Sequence, residues 1–162
     1  LLTTDANEDD GINMQVAGES FGFATTNYAT YFGIKLQCDE ATQNDFLVGL
    51  CITDTTLLGG MTDGVYFRKV DGGTSIAVVT EKDSTETELL TAGTLVAATD
   101  ILLEFYWNGT NVEFFIDGVS KATHTANIPD AELLTPSIHY LAGSAAVRTM
   151  TVDWVRAIQI GR

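Results

Sequence analysis

Glu86 and Glu88, separated by Thr87, are the residues whose types and spacing come nearest to a reaction centre. Alternate residues of a strand point to one face, so this spacing would aim two carboxylates into one cleft. Two carboxyl groups about 5–10 Å apart across a groove are what acid–base cleavage of a glycosidic bond requires. The surroundings count against that chemistry. The pair closes the run EKDSTETE, residues 81–88, just after Asp83, Ser84 and Thr85, and the run reads as a solvated connector. Calcium is the next candidate, because Asp-rich loops supply the oxygens that this ion takes. Glu8-Asp9-Asp10 near Asp5, and Asp63 near Asp54, are the conceivable ligand groups, but neither follows an EF-hand spacing. The expectation is surface charge and no cofactor, a single structural calcium ion being the exception allowed. His124 and His139 fall on separate predicted strands without Cys or Asp at ligand spacing, and no role is assigned to them.

Tyr66 and Arg68 share the face opposite to Val65 and Phe67, and they are the candidate surface-binding residues. A tyrosine on an open face suits stacking against a sugar and equally suits a protein interface. Tyr28, Tyr106 and Tyr140 are expected to be exposed as well, whereas Trp107 and Trp154 alternate with core positions. Asn108-Gly109-Thr110 matches the glycosylation sequon, but a tight Asn-Gly turn accounts for it.

These groups must be positioned by strands. The run Ile101–Thr125 reads as three antiparallel strands joined by turns at Asn108–Asn111 and Asp117-Gly118, since Asn-Gly and Asp-Gly accept the positive φ of tight hairpins. A two-residue turn at Asn108-Gly109 would set Glu104 against Glu113, and facing like charges destabilise a pair. A four-residue turn pairs Trp107 with Val112, Phe105 with Phe114 and Glu104 with Phe115, and is the expected register. Further strands are predicted within 12–23, over 28–38, 46–53, 65–70 and 74–80, within 89–97, and over 137–142 and 148–160. Residues 127–134 read as a connector with one helical turn. Met150, Val152 and Trp154 share a face, Arg156 breaks the alternation, and a bulge is expected between Asp153 and Arg156. If Asp39–Asp45 closes a hairpin, Cys38 pairs near Phe46 and Cys51 near Gly33, too far apart for a disulfide. Both are read as buried, reduced thiols.

No segment sustains a helical period, so the class is all-β: an antiparallel two-sheet sandwich, or jelly roll. With 162 residues the chain forms one domain over 12–162, with 1–11 as an arm or linker. The net charge of −14 excludes nucleic acid and an anionic membrane as partners, and no stretch approaches the ~20 apolar residues of a membrane span.

The pattern FYWNGTNVEFFIDGVSKATHT, then NIPDAELLTPSIHYLAG, then RTMTVDWVRAIQI with its Asp153-Trp154 pair, resembles the second half of concanavalin A-like (laminin G-like) jelly-roll domains. The stretch DGVYFRKVDGGTSIAVVTEKDSTETE is similar to a form found in structural proteins of tailed bacteriophages. The resemblance covers about residues 28–160. It implies a non-enzymatic virion protein, a decoration or cement protein that is folded in the host cytoplasm and seated on the capsid surface. Its partners would be the major capsid protein or other virion proteins, and it would assemble as a homotrimer with residues 1–11 as a tether. The alternative is a carbohydrate-binding adhesion module on a capsid or tail, with glycans as partners. Hydrolases of the superfamily carry Glu-x-Asp-x-x-Glu or a close variant on one strand. No such strand is present, so the resemblance implies no enzyme.

Overall fold

The computed structural model describes residues 1–24 and 29–161, and the described residues contain strands and no helix. The strands are β1 (Leu2–Thr3), β2 (Gly11–Gln15), β3 (Phe21–Gly22), β4 (Ala29–Cys38), β5 (Asn44–Cys51), β6 (Gly64–Lys69), β7 (Ser75–Lys82), β8 (Thr85–Thr94), β9 (Ile101–Trp107), β10 (Val112–Ile116), β11 (Val119–His124), β12 (Leu133–Ala142) and β13 (Thr149–Ile160). Six form one antiparallel sheet in the order β1-β13-β4-β9-β10-β11. The other seven form the second, β2-β12-β5-β6-β7-β8, with β3 beside β12. The chain is therefore the all-β, two-sheet sandwich that its alternation demands.

The inner faces meet in one apolar core. Phe105 sits at its centre, its ring 5.4 Å from Phe32, 5.7 Å from Phe114, 6.2 Å from Phe23 and 6.4 Å from Phe67. The expected register of β9 and β10 is the one found: Trp107 faces Val112, Phe105 faces Phe114 and Glu104 faces Phe115. The Asn108 side-chain oxygen holds the turn by accepting the amides of Thr110 and Asn111, at 2.9 and 3.0 Å. Asp117 and Gly118, at φ +51° and +73°, close the next hairpin. Bulges interrupt the outlying pairs β7–β8, β10–β11 and β13–β4, and such bends discourage edge-to-edge pairing.

Several expectations need correction. Residues 81–88 are not a connector. Asp83 and Ser84 take φ +51° and +61° and form a tight turn without glycine, so β7 runs directly into β8 and Glu86 and Glu88 stand on a strand. Residues 39–43 do not close a hairpin. They carry the chain from one sheet to the other, so Cys38 faces Met150 while Cys51 lies between Thr135 and Gly64. Both thiols are buried and unpaired, and burial pushes Cys38 up to about 12. Residues 1–11 do not stand off as an arm. Leu2 and Thr3 pair with β13, Asp9 donates its amide to Ala142, and Gly11 begins β2. The connector at 127–134 forms no helical turn, and β12 starts at Leu133. The bulge in β13 falls between Val152 and Trp154. It turns Trp154 out of the core to the outer face, where the Arg156 guanidinium lies 5.7 Å from its ring centre.

His124 and His139 are both buried, and desolvation lowers the pKa of each. The unfolded chain protonates them near the usual 6.5. Their contribution to stability is therefore complete above that value and is lost as pH falls toward the folded-state values. The melting temperature is expected to fall on acidification from about pH 7 to about pH 5. The His124→Gln/His139→Gln double variant should show a smaller fall over the same range.

Candidate functional site

The seven-stranded sheet turns a second face away from the core, and that face carries both candidate residues. Tyr66 and Arg68 project from β6 between Gly49 and Leu47 of β5 and Val79 and Ala77 of β7. They share a face as expected, but Tyr66 is no exposed platform: only 1% of it reaches solvent. The segment 52–63 folds back over it. Leu57 and Met61 pack with Leu47, Cys51, Tyr66, Ala77 and Val79 into a second apolar cluster. The ends of this segment are pinned by Asn13, which donates to the Asp54 carbonyl at 2.9 Å, and by Gln15. The Gln15 side chain donates to the Ile52 carbonyl and accepts from the Asp54 amide, both at 2.9 Å. The other tyrosines divide. Tyr140 is buried, its hydroxyl donating to the Thr149 carbonyl at 3.1 Å, which corrects the expectation of exposure. Tyr106 is exposed on the outer face of the other sheet, and Tyr28 lies outside the described residues.

Three glutamates gather around Tyr66 and Arg68. The Tyr66 hydroxyl is 2.8 Å from Glu81 Oε2 and 3.0 Å from Glu86 Oε1. Arg68 grips Glu86 with two parallel hydrogen bonds of 2.7 and 2.9 Å and donates a third, of 2.7 Å, to Glu88. A hydroxyl carries one hydrogen, so Tyr66 cannot donate to two ionised carboxylates at once. The shorter contact gives the Tyr66 proton to Glu81, and Glu86 is held chiefly by the two Arg68 hydrogen bonds. Burial raises the Glu81 pKa above the usual carboxylate range, outweighing its bond to Tyr66 and the charge of Arg68. Burial also works against ionisation of Glu86, but the bond and charge of Arg68, aided by Tyr66, hold it below that range. Tyr66 itself is pushed far up by burial and by the charge of Glu81.

The tip of the covering segment divides the face into two hollows. A cleft of about 220 Å³ opens over Tyr66, Glu81 and Glu86, walled by Leu57 and Met61. A cavity of about 510 Å³ lies beside Arg68, with Leu58, Ala77 and Leu90 as apolar wall and Asp45, Ser75 and Thr91 as polar rim. Three of the five guanidinium N–H groups of Arg68 serve the glutamates. Three of the candidate calcium ligands accept local hydrogen bonds. Asp10 accepts from Asn7, Asp54 accepts the Thr56 amide and Asp63 accepts the Asp83 amide. Among the described residues no group of three or more His, Cys, Asp or Glu is placed to hold a metal ion. Sequence reasoning weighed Glu86 and Glu88 but set them aside as a connector, and it missed Glu81 beside them. The signal for it was the alternation in Thr85-Glu86-Thr87-Glu88.

No family model matches the chain, and no curated protein matches it. Solved structures do. The metal-free carbohydrate recognition domain of Emp46p superposes with a TM-score of 0.68 at 9% identity, over 96% of this chain and 80% of that one. A GH16 enzyme of the Bacteroides ovatus mixed-linkage glucan locus, bound to product, gives 0.67 at 11% identity, over 97% and 79%. Sheep galectin-11 gives 0.55 at 14% identity, over 93% and 98%. At such identities the likeness is one of fold: the concanavalin A-like jelly roll, which serves lectin and glycosidase domains alike. A further glycosidic hydrolase and alginate lyases share it. The expectation that the chain is no enzyme is thereby overturned, since the fold is shared with several enzymes. The reading of Glu86 and Glu88 as a solvated connector fails too, because both stand on β8.

Proposed function

We propose that the chain is a carbohydrate-binding domain whose ligand lies in the cavity beside Arg68. The observation that carries this reading is the composition of that cavity: Leu58, Ala77 and Leu90 as apolar lining beside the polar side chains of Arg68, Asp45, Ser75 and Thr91. A sugar ring has the same two-sided character, C–H faces and hydroxyl edges. Its volume of about 510 Å³ is that of an ordinary small-ligand site. The fold neighbours named for carbohydrate recognition support this reading, and none of the neighbours described above supports the virion reading. An array of immobilised oligosaccharides tests it. The wild type is expected to bind at least one glycan, and Arg68→Met to lose at least about tenfold in affinity, or ~1.4 kcal/mol.

The cleft over Tyr66 favours a second reading, cleavage of a bound glycan. Glu81, whose pKa burial raises, stands beside Glu86, which Arg68 holds low, and such a pair is what general acid and base or nucleophile require in glycoside hydrolysis. In the same screen, release of reducing ends that Glu81→Gln abolishes would establish cleavage. Binding without release would leave recognition alone.

A further inference from the structure

Among the described residues that line the two hollows, Arg68 is the one cationic side chain. Its charge is already spent. Glu86 takes it in a fork of 2.7 and 2.9 Å that occupies both carboxylate oxygens, and Glu88 takes a third bond of 2.7 Å. Such a fork matches guanidinium to carboxylate in shape as well as charge. The contact that a ligand's carboxylate would make is therefore filled before the ligand arrives. Two carboxylates on one guanidinium also leave an excess of one negative charge. Asp45 adds a further carboxyl group to the lining of the larger cavity, its Oδ1 accepting the Asp71 amide at 2.9 Å, and Glu81 adds one to the cleft. The neighbouring cations are engaged elsewhere. Lys69, next along β6, is wholly buried and gives its ammonium to the Thr42 and Asn44 carbonyls. Lys82, next after Glu81, pairs with Asp130 at 2.5 Å.

We infer that the cavity beside Arg68 selects neutral glycans and rejects those that carry carboxylate or sulfate groups. The inference rests on the glycan reading of that cavity and narrows it to one class of ligand. A uronate entering the cavity has to displace Glu86 or Glu88 to reach the guanidinium. The displaced side chain, 29% or 33% exposed, then keeps a half-buried charge without its partner, which is costly. A uronate that leaves the pairs intact meets their excess negative charge in a hollow where water screens less than in bulk. A sugar hydroxyl meets neither obstacle, because it donates to a carboxylate as readily as it accepts from an N–H. Glu86 and Glu88 thus discriminate against anionic chains by the repulsion they build in.

Calorimetric titration of the chain at about 20 mM salt, where charges act over roughly 20 Å, tests this. The probes are cellohexaose, laminarihexaose and mannohexaose, each beside its counterpart oxidised at C6 from CH₂OH to carboxylate. The expected result is that at least one neutral hexasaccharide binds, that Arg68→Met weakens it, and that its oxidised counterpart binds at least about tenfold more weakly. Glu88→Gln removes one carboxylate from Arg68 and should narrow that ratio by about threefold or more. An oxidised chain that binds as tightly as its neutral counterpart, with both weakened in Arg68→Met, overturns the inference and leaves the glycan reading of the cavity standing. An unchanged ratio in Glu88→Gln overturns it too, because the discrimination then has another source. No binding by any hexasaccharide, neutral or oxidised, overturns the glycan reading and the inference together.

Discussion

Phe105→Ala is expected to cost about 3–5 kcal/mol of folding stability, the range for emptying a buried aromatic site. The reason is position. Phe105 belongs to the six-stranded sheet, yet its ring contacts Phe67 of the other sheet as well as Phe23, Phe32 and Phe114. Its removal therefore opens a void at the seam, where two sheets of paired strands have little freedom to collapse. A domain of this size has a total stability of about 5–15 kcal/mol, so the variant is expected to populate unfolded chain measurably. The urea midpoint checks this: it should drop while the slope of the transition stays constant. Phe105→Leu, which refills most of the space, should lose much less.

Lys69→Met is expected to cost about 1–3 kcal/mol, because the buried Asn44 carbonyl loses its ammonium donor and the Thr42 carbonyl keeps only the Gly72 amide. Lys69 is wholly buried at the end of β6. Its ammonium donates to the Thr42 carbonyl at 2.8 Å and to the Asn44 carbonyl. It thereby ties the crossover between the sheets to the turn after β6, where the Gly72 amide also donates to Thr42, at 2.9 Å. Burial lowers the Lys69 pKa, outweighing the favourable charges of Asp45, Asp71 and Glu40. Methionine matches the volume and cannot donate, so Asn44 would lose a partner in the interior and Thr42 one nearer the surface. Faster exchange of the Gly72 amide, together with a lower melting temperature, is the expected signature. Unchanged stability would show that apolar packing replaces the ammonium at no cost, as happens at some buried charges.

The sandwich was legible where a residue type forces a conformation. Asn108-Gly109 and Asp117-Gly118 announced their turns, and like charges at Glu104 and Glu113 decided a register. Where the forcing residue was missing, the reading failed. The Asp83-Ser84 turn has two left-handed residues and no glycine, so β8 passed for a charged connector. A short polar segment closes a hairpin or crosses between sheets equally well, so the partners of β4 and β5 were misread. At Trp154 the alternation pointed inward, but the bulge after Val152 reversed it. Tyr66 was correctly placed opposite the core. That Leu57 and Met61 return to bury it depends on contacts distant in sequence, and two apolar residues in a glycine-rich loop were the sole hint. Glu81 was hidden for the same reason, because its role exists only once β7, β8 and β6 lie side by side.

The most direct test of the glycan reading is to locate a bound oligosaccharide. The backbone amides of the wild-type chain would be assigned and titrated with the best ligand from the glycan array. The account predicts saturable shifts concentrated at Arg68, Ala77, Ser75 and Leu90, and their loss in Arg68→Met at unchanged fold. Shifts confined to the opposite face around Tyr106 and Trp154, or none with any oligosaccharide, would contradict it.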